Sequence, residues 1–266
     1  MNIIAIDIGN TNINVGLFLN GEEKFIETVA GQDENKLTEV IKSAWQQAAG
    51  ERESKNEKIS GVIVASSVKP AWTRVVRGIA EKISGTKMLV VGEDVPLPLS
   101  VWVDEPAKIG TDRVVAAAAA YAVVGDAVVV ADFGTAVTID LVDEHGVFQG
   151  GVILPGFDIS AKALSENTSQ LPKVKVARPE KAFGKNTHDA INCGLYYSAV
   201  GTLQEIIRRY AETIGKWPQT ILTGSAARLI QADCDFIDSY VPSLTIKGIV
   251  LAYQKYIEQE NDSAEL

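Results

Sequence analysis

The chain carries one unit twice: a strand, an Asp-x-Gly turn and a second strand. Asp7-Ile8-Gly9-Asn10-Thr11 follows the apolar run Ile3-Ile4-Ala5-Ile6 and precedes the alternating segment Asn12-Ile13-Asn14-Val15-Gly16-Leu17-Phe18. Asp132-Phe133-Gly134-Thr135 follows Ala127-Val128-Val129-Val130-Ala131 and precedes Ala136-Val137-Thr138-Ile139-Asp140-Leu141-Val142. One Asp-x-Gly is common and means little. Two copies in matching strand context imply two homologous halves that face a single ligand.

The residue types say what that ligand is. Glycine lets a backbone come close to a bulky anion, and the free N–H groups of such a turn form an anion-binding nest. Thr11 and Thr135 add hydroxyl donors. Asp7 and Asp132 would repel phosphate directly. They make sense with a cation between carboxylate and phosphate, most simply Mg²⁺ with part of its water shell. Either hairpin alone reads as an ordinary Asx-type turn, whereas the pair points to phosphate binding.

The rest of the chain alternates. Periodicity predicts strands over 2–6, 13–19, 23–29, 61–66 and 87–91, and helices over 34–49 and 72–83. The polar, charged stretch 50–58 reads as a loop, and Pro96, Pro98 and Pro106 interrupt an extended connection. An alanine-rich helix over 111–124, with Thr111 as a candidate N-cap, joins the halves. Strands over 127–131, 136–142 and 148–154, helices over 159–164, 188–214 and 226–231, a strand over 219–223 and a closing helix over 244–258 complete the second half. This order predicts two α/β domains with mixed sheets, 1–115 and 116–266. The 266 residues suffice for about two domains of roughly 100–200 residues each.

Several classes are excluded or disfavoured. The net charge of −9 argues against a duplex nucleic-acid footprint. No apolar run reaches the ~18–20 residues of a membrane span. The first residues enter a strand directly, without a signal-peptide pattern, and Cys193 and Cys234 make no disulfide framework, so a cytoplasmic protein is expected. His145 sits in a hairpin turn and His188 at a helix start, without zinc-site spacing. No G-x-x-x-x-G-K-[ST] occurs, which removes a P-loop kinase. Arg208-Arg209 reads as a solvated helix face.

With these motifs in order, the chain resembles the type III pantothenate kinases of the acetate and sugar kinase/Hsp70/actin superfamily. Asp7-Ile8-Gly9-Asn10-Thr11-Asn12 resembles the first phosphate motif, Gly110-Thr111-Asp112-Arg113 the G-x-D-R substrate motif, and Asp132 through Asp140 the second phosphate motif. Gly150-Gly151-Val152-Ile153-Leu154-Pro155-Gly156 and Gly184-Lys185-Asn186-Thr187 follow in family order. The resemblance implies two similar actin-like (ribonuclease H-like) domains with mixed sheets flanked by helices. It implies ATP-dependent phosphorylation of pantothenate to 4′-phosphopantothenate, the first step of coenzyme A biosynthesis.

The implied roles attach to particular residues. Asp112 is the catalytic base, and Gly110, Thr111, Asp112 and Arg113 meet the substrate. Asp7, Ile8, Gly9, Asn10, Thr11, Asn12, Ile13, Asn14 and Thr135 hold ATP. Asp7 carries Mg²⁺ through water, and Asp132 binds a monovalent cation, K⁺ or NH₄⁺. Thr187 reaches pantothenate from the partner subunit of a homodimer. From the residues alone, Asp112 and Arg113 read equally as a helix cap, and Thr187 as the cap of the helix starting at His188. Two departures stand out. Trp102 replaces the family's usual Tyr, and Thr223-Gly224-Ser225 replaces T-G-G near the adenosine. The competing reading is a non-catalytic relative that binds nucleotide or a pantothenate-like ligand and regulates a partner. A weaker one is a phosphatase of the same superfamily. Retention of Asp7, Asp112, Arg113, Asp132 and Thr187 together favours the kinase.

Overall fold

The computed structural model describes residues 1–31, 33–49 and 61–264. The loop expected over 50–58 lies outside them. The strands, in chain order, are β1 (Asn2–Ile8), β2 (Asn12–Leu19), β3 (Glu22–Ala30), β4 (Gly61–Ser67), β5 (Leu89–Val90), β6 (Ser100–Val101), β7 (Val128–Phe133), β8 (Ala136–Val142), β9 (Val147–Pro155), β10 (Gln219–Thr223) and β11 (Ser239–Tyr240). The helices are α1 (Glu34–Ala49), α2 (Pro70–Ser84), α3 (Thr111–Val124), α4 (Phe157–Glu166), α5 (Thr187–Ile214), α6 (Ala227–Ile230) and α7 (Leu244–Ala264). Packing divides the chain into two units. One is Met1–Ser100, Glu105–Ala119 and Thr245–Leu266; the other is Val101–Asp104 and Ala120–Leu244.

The first unit holds a five-stranded sheet in the order β3-β2-β1-β4-β5. β1, β2 and β3 form an antiparallel meander, and β4 lies parallel to β1. Side chains alternate across the sheet with period two, so β1 feeds two cores. Ile4, Ile6 and Ile8 pack with Leu37, Ile41 and Trp45 of α1 and Val76 and Ala80 of α2. Ile3 and Ala5, on the other face, pack with Val115 of α3 and Ile246, Ile249, Val250 and Tyr253 of α7.

The second unit repeats the pattern. Its sheet runs β11-β10-β7-β8-β9-β6, with β7, β8 and β9 antiparallel and β10 parallel to β7. Numbered within each half, both sheets contain the order 3-2-1-4-5, with β6 added beside β9 in the second, in keeping with the ribonuclease H-like domains expected. Tyr196, Leu203 and Ile207 of α5 close one face over Val129, Ala131, Ile139 and Leu222.

Three expectations change. The closing helix α7 belongs to the first unit, so a division at 115/116 misassigns residues from 245 onward. Its apolar face is consumed by the side of β1 and β4 that α1 and α2 leave uncovered. Thr111 is the first helical residue of α3 rather than its cap. The nearly all-apolar run 114–124 of α3 suggests, from sequence, some surface left for a partner, whereas Val114 through Ala120 are buried in the structure. β6 and β11 are two-residue strands, too short for periodicity to reveal. Among the described residues no helix is long and apolar enough to cross a membrane, and both cysteines are free and buried.

Candidate active site

In the first unit, Asp7 is the penultimate residue of β1. It faces Asn14 on the antiparallel neighbour and Ser66 on the parallel one. Thr28 donates to Asn14 Oδ1 (2.8 Å), which turns the Asn14 amide toward Asp7, and Nδ2 donates to Asp7 Oδ2 (3.0 Å). Loss of hydration pushes the Asp7 carboxyl up to about 6; Asn14 opposes the rise, and the nearby Asp112 charge adds to it. That coupling places the two carboxylates in one electrostatic neighbourhood, although they are far apart in sequence.

A hydroxyl pair positions the second carboxylate. Ser66 Oγ and Thr111 Oγ1 are 2.8 Å apart, tying the start of α3 to the strand beside Asp7. Asp112 Oδ1 accepts the Arg113 N–H at 2.9 Å. Burial pushes the Asp112 carboxyl above the usual range, and that N–H and the Arg113 charge limit the rise. Cap and base are therefore compatible roles for one side chain.

The second unit builds its turn alike. Asp132, penultimate in β7, faces Thr138 and Thr223. Gly9 N–H bonds the Asn12 carbonyl in the first turn (3.1 Å), and Gly134 N–H bonds that of Ala136 in the second (3.0 Å). The second turn is one residue shorter. Counted back from the strand that follows, Thr11 and Thr135 are equivalent. Their carbonyls confirm it: Gly31, just past β3, donates to Thr11 (2.9 Å), and Gly156, just past β9, donates to Thr135 (3.1 Å). Neither glycine has room for a side chain, since a Cβ would lie 2.9 Å from the Thr11 oxygen or 2.4 Å from that of Thr135. Such repeated close approach to the turn explains glycine at both places.

Gly224, in Thr223-Gly224-Ser225, adopts φ +97°, and a Cβ there would stand 2.4 Å from Asp132 Oδ1. The Thr223-Gly224-Ser225 turn is thus packed directly on the second carboxylate. Ser225 is not among the positive-φ residues, so its departure from T-G-G places no side chain in a left-handed backbone.

Thr187 is exposed at the first position of α5. The cap is Asn186, whose side chain accepts the Asp189 N–H at 2.9 Å. The helix therefore does not need the Thr187 hydroxyl, which removes the capping role considered for it. The preceding segment is anchored by Arg178, which makes two bonds to Asp233 (2.8 and 2.7 Å), while the Tyr196 hydroxyl donates to the same carboxylate. Lys185, Asp189 and Phe183 line a pocket of about 260 Å³ there. Trp102 is 76% exposed, and its backbone N–H donates to the Phe148 carbonyl.

Among the described residues no cluster of three or more His, Cys, Asp or Glu side chains could hold a metal. A cation here would be held by one or two carboxylates with water and ligand oxygens, which is how Mg²⁺ usually accompanies phosphates. Asp7 fits that use, being a desolvated carboxylate beside a second negative charge that a cation would offset. Sequence reasoning missed Ser66, Thr28 and Gly31. The only signal for Ser66 was a hydroxyl pair, Ser66-Ser67, ending the apolar run Val62-Ile63-Val64-Ala65.

A model of the type III pantothenate kinase family matches residues 3–209 of this chain. A type III pantothenate kinase from Dehalococcoides mccartyi is 33% identical over 256 residues, spanning 95% of this chain and 97% of that one. Among solved structures, a conserved Baf family protein from Campylobacter jejuni is similar with a TM-score of 0.60 at 21% identity, covering 97% of this chain and 99% of that one. The ethanolamine utilization protein EutJ from Carboxydothermus hydrogenoformans is similar with a TM-score of 0.50 at 16% identity, covering 94% and 89%. At such identities the two structures speak for the fold alone.

Proposed function

We propose a division of labour for a chain that belongs to the type III pantothenate kinase family: Asp112 takes the proton, the Asp7 turn and Thr135 hold the nucleotide, and Asp7 and Asp132 hold cations. The enzyme transfers the γ-phosphoryl group of ATP to pantothenate in coenzyme A biosynthesis. The primary hydroxyl oxygen of pantothenate bonds to the γ-phosphorus, the bond from that phosphorus to ADP breaks, and the hydroxyl proton passes to Asp112. Such a reaction asks the protein mainly for alignment and charge neutralisation. The observation that carries this reading is the Ser66–Thr111 bond, which sets the G-x-D-R carboxylate beside the phosphate-turn carboxylate.

Burial strengthens Asp112 as a proton acceptor, and Arg113 keeps the carboxylate from rising further. Gly110, Thr111 and Arg113 complete the pantothenate contacts. Residues 8–14 and Thr135 supply turn amides and hydroxyls to the phosphates. Asp7 would hold Mg²⁺ through water, and Asp132 a potassium or ammonium ion; when bound, these ions offset phosphate charge. The purified protein is expected to form 4′-phosphopantothenate from ATP and pantothenate, faster with potassium than with sodium. Asp132→Ala should lose the potassium response in particular. A wild type that makes no product defeats the reading, and full potassium activation in Asp132→Ala moves the ion elsewhere.

The working form in this reading is a cytoplasmic homodimer, with Thr187 of one subunit reaching the pantothenate of the other. Support comes from α5. Its outward side carries Ala190, Gly194, Tyr197, Ser198 and Gly201, all exposed, and a Cβ at Gly194 or Gly201 would meet nothing. Subunit exchange between inactive Asp112→Asn and inactive Thr187→Ala is expected to restore activity, because each heterodimer holds one intact pocket. Verified heterodimers without recovered activity, or a monomer by light scattering, would count against it.

A further inference from the structure

The first unit holds a cation that the reaction above has not used. Lys69 lies between β4 and α2, and its Nζ is 3.2 Å from the carbonyl oxygen of Asn10, inside the first phosphate turn. Its backbone is pinned at several points. The Lys69 N–H donates to Ser67 Oγ (3.2 Å), and the Lys69 carbonyl accepts the N–H groups of Trp72 and Thr73 and the Thr73 hydroxyl (3.1 Å). Ser67 and Thr73 hydroxyls are themselves 2.6 Å apart. Among the described residues, Lys24, Lys36, Lys87, Lys108 and Lys216 each pair with a carboxylate. Lys69 makes no such pair there, and its ammonium rests on one neutral oxygen.

An ammonium so placed has one obvious demand. A lone carbonyl satisfies one of its three donors, and the nearest unit of function is a turn built to receive phosphate. Two carboxylates near the turn, Asp7 and Asp112, add negative charge there, so an incoming polyphosphate gains from every fixed cation nearby. We infer that Lys69 is a further phosphate-binding residue, holding the polyphosphate of a nucleotide seated on the Asp7–Asn14 turn. This rests on the nucleotide-binding part of the reading above, not on the acceptor being pantothenate.

The test uses the full-length protein without pantothenate. Dissociation constants for ATP, ADP and adenosine are measured by calorimetry, in magnesium, on wild type, Lys69→Met, Lys69→Gln and Lys69→Arg. Met and Gln are expected to weaken ATP and ADP roughly tenfold, the usual scale of one charge-assisted contact, and to leave adenosine within about twofold. Arg should stay near wild type. Gln can still donate to the Asn10 carbonyl, so it separates charge from a purely structural staple. Unchanged ATP affinity in Met and Gln overturns the inference. So does a loss in Met that Gln fully restores, a matching loss for adenosine, or a wild type that binds no nucleotide. A wild type that binds ATP yet never phosphorylates pantothenate defeats the proposed reaction while leaving Lys69 to be judged on these affinities.

Discussion

Asp112→Asn is expected to lower turnover by roughly 10²–10⁴-fold, the usual worth of general base assistance, with the fold and ATP affinity intact. The fold survives because the structural task of this side chain needs only one oxygen. Oδ1 accepts the Arg113 N–H at 2.9 Å, and an asparagine oxygen accepts it equally. The start of α3 is held besides by the Thr111–Ser66 hydroxyl bond, which the substitution does not touch. What disappears is the proton acceptor and a negative charge. The lost charge has its own signature. Asp112 helps to raise the Asp7 carboxyl, so Asp7 should titrate at lower pH in the variant. Single-turnover rates, calorimetric ATP binding and the titration of Asp7 check the three parts. Turnover within a few-fold of wild type in a folded variant removes Asp112 from the role of base.

Asp7→Asn is expected to abolish activity and yet stabilise the protein. A carboxyl held at about 6 against an ordinary 3.8 prefers its neutral form in the folded state. With a raised value, the favourable contribution is fully present below the unfolded value and is lost as pH rises through about 6. At pH 7.5 the ionised Asp7 therefore costs the fold on the order of 1–3 kcal/mol. Asparagine removes that cost and keeps the bond from Asn14 Nδ2. In magnesium-free buffer the variant should melt several degrees above wild type at pH 7.5, at roughly 2–4 °C per kcal/mol for a chain of this size. The gap should close as pH falls from 6 toward 4. Wild-type activity should decline over the same interval, because a protonated Asp7 cannot hold a cation. Equal melting temperatures at every pH would show that Asp7 is not strained by its burial.

Sequence reading succeeds where the signal is local. Helices 34–49 and 111–124 and strands 136–142 and 219–223 were predicted with the bounds observed. Their signals are local: period two for a strand, an unbroken alanine-rich run for α3, and polar residues where each ends. The repeated Asp-x-Gly turn, and hence the doubling of the fold, was equally plain, because turn geometry depends on a few adjacent residues. Charge, composition and motif order narrowed the function for the same reason.

What tertiary structure alone decided involves residues far apart along the chain. Ile246, Ile249, Val250 and Tyr253 carry no mark of which sheet they serve; β1 and β4 claimed them because one face remained uncovered. Ser66 and Thr111 are ordinary hydroxyls until parallel pairing of β4 with β1 brings them within hydrogen-bond reach. Thr187 looked like a cap until Asn186 took that place. Lys69 looked like one lysine among many until the end of β4 delivered it to Asn10. The sequence by itself determined the elements, their repeat and the form of the turns, since those follow from short-range sterics and periodicity. Which carboxylate stands beside which, and which lysine reaches the Asp7–Asn14 turn, was decided by long-range packing, where burial of whole faces rather than any local preference sets the partners.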